Sequence, residues 1–548
     1  MSEQKQEYTA EKEFIDEKFD IERSSVVLEE EENSPIPEVA AIVSNKDDPT
    51  LPVMTIRFWF MAVLFSCILS FFNQFFWFRT HPMTISTLVI QLLSYPLGKF
   101  LARVLPSGPL NPGPFNIKEH VLVALTANCA GGTAYAVDIT VIQKVYYLQD
   151  FGFGANFLLI LCTQMLGYGM AGVLRRYLVY PAAMIWPSNL VQVALFNTLH
   201  KDEDLQPGQW TRFKFFCVAT IAMFFYQWIP GFLFPVLSSI AWVCWINPDS
   251  QVLSQIGGAG GLGVGAISLD WNNIVSFLGS PLIVPWWAQV NIAMGFFIIA
   301  WVMVPIAYYT NLWEAKRFPI LTARLFTTEG DRYVVKKAKK FPILDSGLFM
   351  ENGNRYAVKT ILTPDNVLDM DKYNLHGPLR ITTFFALTYG IGFAGLSSMI
   401  THTWLYHRHK LVAQWKQSRT QAEDIHHKLM QAYPEVPDWW YASLFVLMTA
   451  IALFTCEYYK YMPWWAVLLA ILIAAMLFTS DLKLGHYMKV PPRAMFWAQL
   501  IGTFIAGLVN LLTANWLLNS QDKICTEENK HFQCPSANTF FSASVIWG

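Results

Sequence analysis

The chain has 548 residues, 54% of them hydrophobic and only 14% charged, with a formal net charge of −1. Soluble domains carry roughly 25% charged residues, so this composition excludes a soluble globular enzyme, and the absence of a basic surplus argues against a nucleic-acid binder. Apolar residues fall in blocks long enough for a helix to cross a ~30 Å hydrocarbon core, which makes the chain an all-α, polytopic integral membrane protein.

The first fifty residues are of different composition. Fifteen Asp or Glu stand against five Lys or Arg, a balance near −10 that leaves the other 498 residues near +9. Residues 1–50 therefore read as an acidic, solvated and disordered tail. No apolar leader follows Met1, so "MTIRFWFMAVLFSCILSFFNQFFWF" serves as the insertion signal of a transmembrane domain over 51–548.

Thirteen helices are predicted in that domain, at 54–78, 83–104, 118–143, 154–178, 181–199, 212–230, 231–247, 262–285, 287–309, 378–404, 438–459, 463–481 and 494–518. "IPGFLFP" divides 212–247 into a pair, and Pro281 and Pro285 make 262–285 either spanning or re-entrant. Long loops remain at 310–377 and 405–437. Tryptophan pairs at 286–287, 439–440 and 464–465 mark helix ends at the membrane interface.

Lys and Arg in the short loops orient the chain with its N-terminus cytoplasmic. Lys99, Arg103, Lys118, Arg175, Arg176, the run "YHRHKLVAQWKQSRTQAEDIHHKLM" and "KLGHYMKVPPR" all fall on that side. Six of eight cysteines lie in apolar runs and read as small buried hydrophobes. Cys525 and Cys534 lie in a polar loop that the parity places outside, where a disulfide persists. The chain stops at "FFSASVIWG", an apolar segment too short to span, which reads as a truncated end.

Two passages break the helical pattern. In "NPGPFNIKEH", Pro112 and Pro114 fix φ and remove two donors while Gly113 permits a turn, so the stretch is a stiff connection that sets the angle of the next helix. That helix is interrupted by Gly131 and Gly132 and carries Asp138 at membrane depth. Broken helices are tolerated in a bilayer where protein or a water-filled cavity covers the backbone, and they form binding sites in transporters; a close-packing face of small residues is the other reading.

"NPGPFNIKEH", "TQMLGYGMAGVLRRYLVYPAAMIWPSNL" and "KVPPRAMFWAQLIGT" together resemble the oligopeptide transporter family, in its fungal and plant peptide-transporting branch. The resemblance covers about residues 38–548, and Val490 stands where the second family motif has Ile. It implies proton-coupled import of short peptides, tetra- and pentapeptides or glutathione, across the plasma membrane, without a cofactor; a sister branch carries metal chelates. It also implies about sixteen helices, three more than predicted here. A truncated, non-transporting remnant with a regulatory role is the alternative reading.

Carried over by motif, Asn111, Gln164, Gly167, Tyr168, Phe496 and Gln499 are the expected substrate-path residues. The spacing fits: Gln164 and Tyr168 share a helix face, as do Phe496 and Gln499, each pair setting an amide beside an aromatic wall. A proton-coupled carrier also needs a titrating group at depth, where ionisable side chains are costly. Asp138, Asp270, Glu457 and His402 are the candidates, Asp138 first because its helix is the broken one; Glu457 and His402 lie near helix ends and reach the interface on the plainer reading.

An intramembrane enzyme is the less favoured alternative, with the His-rich "HRHK" and "DIHH" stretches, more simply a solvated basic loop, its nearest support. The sequence holds no H-E-x-x-H, G-x-S-x-G or P-loop, and no second Cys or His pair at zinc spacing. Gly258, Gly260 and Gly263 match G-x-G-x-x-G, but the match lies between membrane segments rather than in a βαβ unit; it reads as an extended passage or hinge.

Overall fold

The computed structural model describes residues 34–547 apart from 81, 109, 183, 201–207, 259–262, 276–283, 311, 313–368, 377–382, 410–411, 413–424, 460, 474–478 and 527–528. Among the described residues the regular elements are helices, and β pairing is limited to two isolated bridges, Gly108 with Asn111 and Ile240 with Ile267.

The order begins α1 (Pro37–Ile42), α2 (Ile56–Trp77), α3 (Thr87–Val104), α4 (Ile117–Asn128), α5 (Tyr135–Val145), α6 (Gly152–Leu178) and α7 (Pro187–His200). It continues with α8 (Arg212–Trp228), α9 (Gln251–Gly257), α10 (Trp271–Val275), α11 (Trp286–Phe296), α12 (Val304–Tyr309), α13 (Met370–His376) and α14 (Thr383–His402). The last group is α15 (Ile425–Met430), α16 (Asp438–Tyr458), α17 (Trp464–Ile473), α18 (Thr479–Tyr487), α19 (Pro492–Ser520) and α20 (Pro535–Trp547).

Helix starts follow local chemistry. The Thr55 hydroxyl accepts from the Phe58 amide at the head of α2, Asn116 accepts from Glu119 at the head of α4, and Pro492 opens α19, where a missing N–H costs nothing. Six helices among the described residues are long and apolar enough to cross a membrane: α2, α6, α16, α19, α8 extended to Leu233, and α11 extended to Met303.

α19 is the central rod, in contact with α2, α4 and α6, while α6 lies along α16. Two glycines set these approaches. A Cβ on Gly172 would stand 1.9 Å from the Tyr441 ring, so α6 meets α16 at that point without a side chain; a Cβ on Gly502 would stand 2.7 Å from the Thr126 carbonyl of α4.

Two expectations change. Residues 231–247 do not form a spanning helix: Pro230 and Pro235 break the run into a π turn (Ile229–Leu233) and two 3-10 turns (Pro235–Ser238 and Trp242–Trp245). Within residues 34–50, assigned to the disordered tail on average composition, Val39 and Val43 are at 2% and 3% exposure in the main core, while residues 48–50 are exposed; the acidic average concealed a short apolar stretch. Of the predicted span 463–481, α17 and the start of α18 are helical and residues 474–478 lie outside the described residues. Most of the tail (1–33), most of the loop 310–377 and much of the loop 405–437 lie outside the described residues.

Candidate functional site

The proline-rich passage before α4 is a structural knot. Asn111 donates to the Ala102 and Leu105 carbonyls at 2.8 and 2.9 Å, capping the end of α3, and accepts from Arg57 at 3.0 Å. Arg57 also donates to Glu119 through Nε and Nη2 at 2.9 and 2.5 Å, and both side chains are fully buried. A buried pair survives desolvation only with such two-point geometry and extra bonds, which Thr55 supplies to Glu119 and Gly113 to Arg57. Lys118 pairs with Asp47 at 2.7 Å and meets Tyr433, whose hydroxyl donates to Asp47. Burial, with the Asp47 carboxylate beside it, holds the Tyr433 hydroxyl above its ordinary pKa. Lys489 donates to the Ser44 carbonyl. The knot thus ties α1 and its tail to the heads of α2, α4 and α19.

Beyond this end, α4 stops at Asn128, and residues 129–134 run irregularly before α5 begins. The backbone freed by the break is covered by one stripe of α2: Ser66 donates to the Thr126 carbonyl, Ser70 to Ala130 at 3.4 Å, and Asn73 to Gly131 at 2.6 Å. Spaced four and three residues apart, these three share a helix face. Asn128, at the break itself, donates to Asp481 of α18 at 2.5 Å and accepts from Thr87 at 2.7 Å.

α19 turns its most polar face inward at the same place. Gln499, Thr503 and Asn510 are all buried, and the polar side-chain atoms of Asn510, like those of Gln74 on α2, have no hydrogen-bond partner among the described residues. The Gln499 amide faces the Asp481 carboxylate as a hydrogen-bonding neighbour, and the Thr503 hydroxyl faces the Cys129 thiol in the break in the same way. On the neighbouring α19 face Phe496 packs with Tyr168, Tyr441 and Trp440, ring centroids 5.6, 5.1 and 5.2 Å away. The Tyr168 hydroxyl donates to the Phe496 carbonyl at 3.3 Å.

The structure therefore brings Tyr168 and Phe496 together, with Gln499 three residues further along α19 beside Asp481. Gln164 and Gly167 are half-buried on α6, and Asn111 sits in the knot. Asp138, in the first turn of α5, is 9% exposed with Oδ1 unpartnered among the described residues. Asp270 is bonded on both oxygens, accepting from Gln227 and Asn272 on Oδ1 and from Ser238 on Oδ2. Glu457 and His402 are exposed near the ends of α16 and α14. Cys525 and Cys534 are disulfide-bonded in the loop after α19. Among the described residues no group of three His, Cys, Asp or Glu is arranged to hold a metal ion.

Sequence reasoning missed Gln74, Asn128, Asp481, Thr503 and Asn510. Thr503 and Asn510 were within reach, since they follow Gln499 at helical spacing. Asp481 was hidden at the assigned end of a span.

A helix broken inside a bundle of apolar helices, its loose backbone covered by protein, is the architecture of an integral membrane transporter. The family model for the OPT oligopeptide transporter protein matches residues 53–479 and 474–548. The chain is similar to oligopeptide transporter 7 of Arabidopsis thaliana, 41% identical over 94% of this chain and 73% of that protein. Oligopeptide transporter 3 of the same organism is 40% identical, over 94% and 77%, and oligopeptide transporter 4 is 39% identical, over 95% and 78%. The chain belongs to the oligopeptide transporter family: it is a transporter and not an enzyme.

Proposed function

We propose that this protein imports short peptides together with protons, with its basic end and N-terminus facing the cytoplasm of a plasma-membrane cell surface. The observation that carries the reading is the break at residues 129–134, where backbone, the Asn128–Asp481 contact and the inward face of α19 converge next to a half-helix that opens on Asp138. Uncharged amides bind a peptide main chain whatever its side chains, and the Tyr168–Phe496 wall tolerates varied apolar groups. Gln164, Gly167, Tyr168, Phe496 and Gln499 line the path in this reading, while Asn111 serves it indirectly by fixing the angle of α4.

Proton coupling is assigned to Asp138. An isolated carboxylate at membrane depth is costly, and with one oxygen unpartnered it gains most from taking up a proton. Asp270, held by three donors, acts as a cap for α10, and Glu457 and His402 are placed at the interface. The test is uptake of a labelled tetrapeptide, and separately of glutathione, by vesicles holding the full chain under an imposed pH gradient. Uptake that rises with external acidity and collapses with a protonophore supports the reading; uptake indifferent to the gradient contradicts the coupling.

A further inference from the structure

The inward face of α19 extends beyond the residue that the family motif singles out. Thr503 lies four residues and Asn510 eleven residues after Gln499, so at 100° per residue the three fall within about 40° of one another. Two contacts bracket that stripe. On one side Gly502 touches the Thr126 carbonyl near the end of α4; on the other Gly507 approaches Ile160 of α6. The stripe therefore runs along the seam between the broken helix and α6.

Within this seam the usual ways of satisfying a polar group are not taken. Thr513 on the same helix donates back to the Val509 carbonyl at 2.8 Å, and Thr126 donates to Leu122 at 2.8 Å, the common resort of a threonine in an apolar helix. Thr503, only 1% exposed, makes no such bond to its own helix and faces the Cys129 thiol in the break instead. Asn73 of α2 bonds through both amide atoms, whereas Asn510, 0% exposed, bonds through neither among the described residues, and Gln499, equally buried, has only the Asp481 carboxylate beside it. Buried polar groups are nearly always paired, and those that are not point to something that pairs with them.

We propose that Thr503 and Asn510 are main-chain contacts for the transported peptide, forming with Gln499 an uncharged rail along α19. The inference rests on the peptide-transport reading above and adds the residues that hold the substrate. A carboxamide offers two donors and an acceptor and a threonine hydroxyl one donor and two acceptor sites, so the rail answers both the N–H and the C=O of a peptide group and ignores side-chain identity. From Gln499 to Asn510 is about 16 Å along the helix, the reach of four or five residues of extended chain.

The experiment measures binding and uptake of a tetrapeptide and of its analogues N-methylated at each peptide bond in turn, using the full chain in proteoliposomes. In the unaltered protein, methylation at the bonds facing Thr503 and Asn510 is expected to weaken binding tenfold or more. In Asn510→Leu and Thr503→Val the unmodified peptide binds correspondingly less well, and the methylation penalty at the facing bond disappears; Thr503→Ser restores it. Thr503→Val keeps the side-chain volume, so the comparison stands if Asn510→Leu fails to fold. Peptide uptake with the same methylation penalties in every variant overturns the rail and leaves the transport reading intact. A protein that neither binds nor carries any peptide overturns both.

Discussion

Two buried acids, Asp138 in the block made by the described residues of 34–200 and 425–547 and Asp270 in the described stretch between 208 and 310, are held in opposite ways. In the block, α2, α4, α6 and α19 bury serines, amides and an arginine–glutamate pair, and Asp138 keeps an unpartnered oxygen. In the stretch, α8 and α11 have no buried residue, and Asp270, no more exposed than Asp138, is bonded on both oxygens by its own surroundings. The two carboxylates thus differ in whether the fold supplies them with donors, and the proposed coupling role of Asp138 rests on that difference.

The largest expected effect sharpens this contrast. Asp138→Asn should abolish the dependence of peptide uptake on a pH gradient, whereas Asp270→Asn should keep it, as measured by uptake across a series of external pH values. Loss of coupling in Asp270→Asn with coupling retained in Asp138→Asn would reverse the assignment.

Next comes stability. Arg57→Met removes the counter-ion of Glu119 and leaves it only the Thr55 hydroxyl, and is expected to cost about 3–5 kcal/mol, seen as a fall in the melting temperature of the purified protein. Ser238→Ala, in the stretch, removes one donor from Asp270 and is expected to cost about 1 kcal/mol. Equal losses would show that the block owes nothing special to its buried pair.

Between these lies the α6–α16 seam. Gly172→Ala places a methyl group against the Tyr441 ring, and overpacking of this kind costs roughly 1–3 kcal/mol. The companion change Tyr441→Leu in the same chain should recover part of the loss by opening the ring's space.

The smallest effect concerns Asp150, in the loop joining α5 to α6. The Gly152 amide, and then Lys144, hold its carboxyl below the ordinary value of 3.8. A group depressed on folding stabilises the protein above its unfolded pKa and loses that contribution as pH falls through the folded one. Asp150→Asn should therefore lower stability near neutrality by less than about 1 kcal/mol, since the pair is open to solvent, with the difference closing below pH ~3–4. Melting temperatures of the two proteins against pH give the comparison.

Much of this was legible in the sequence. Block length and hydropathy gave the helical membrane class, and Gly131 and Gly132 gave the break, because glycine pairs rarely sit in a continuous helix. Prolines were read less well: Pro230 and Pro235 were taken for the boundary between two spans, while the chain there folds into short turns. The charge average over residues 1–50 hid Val39 and Val43, whose burial depends on partners hundreds of residues away. The role of Asn111 was likewise out of reach, since spacing shows a motif but not that its amide caps α3 while accepting from Arg57. Thr503 and Asn510 were missed because two uncharged polar residues in an apolar helix look ordinary until their neighbours are known.

The account depends on water and substrate reaching the break in α4–α5, and Cys129 lies within that break. With the other five free cysteines replaced, a small aqueous thiol reagent should label Cys129 in the working transporter, and a transported peptide should protect it. Labelling that never occurs under transport conditions, or that peptide leaves unchanged, would contradict the placement of the path.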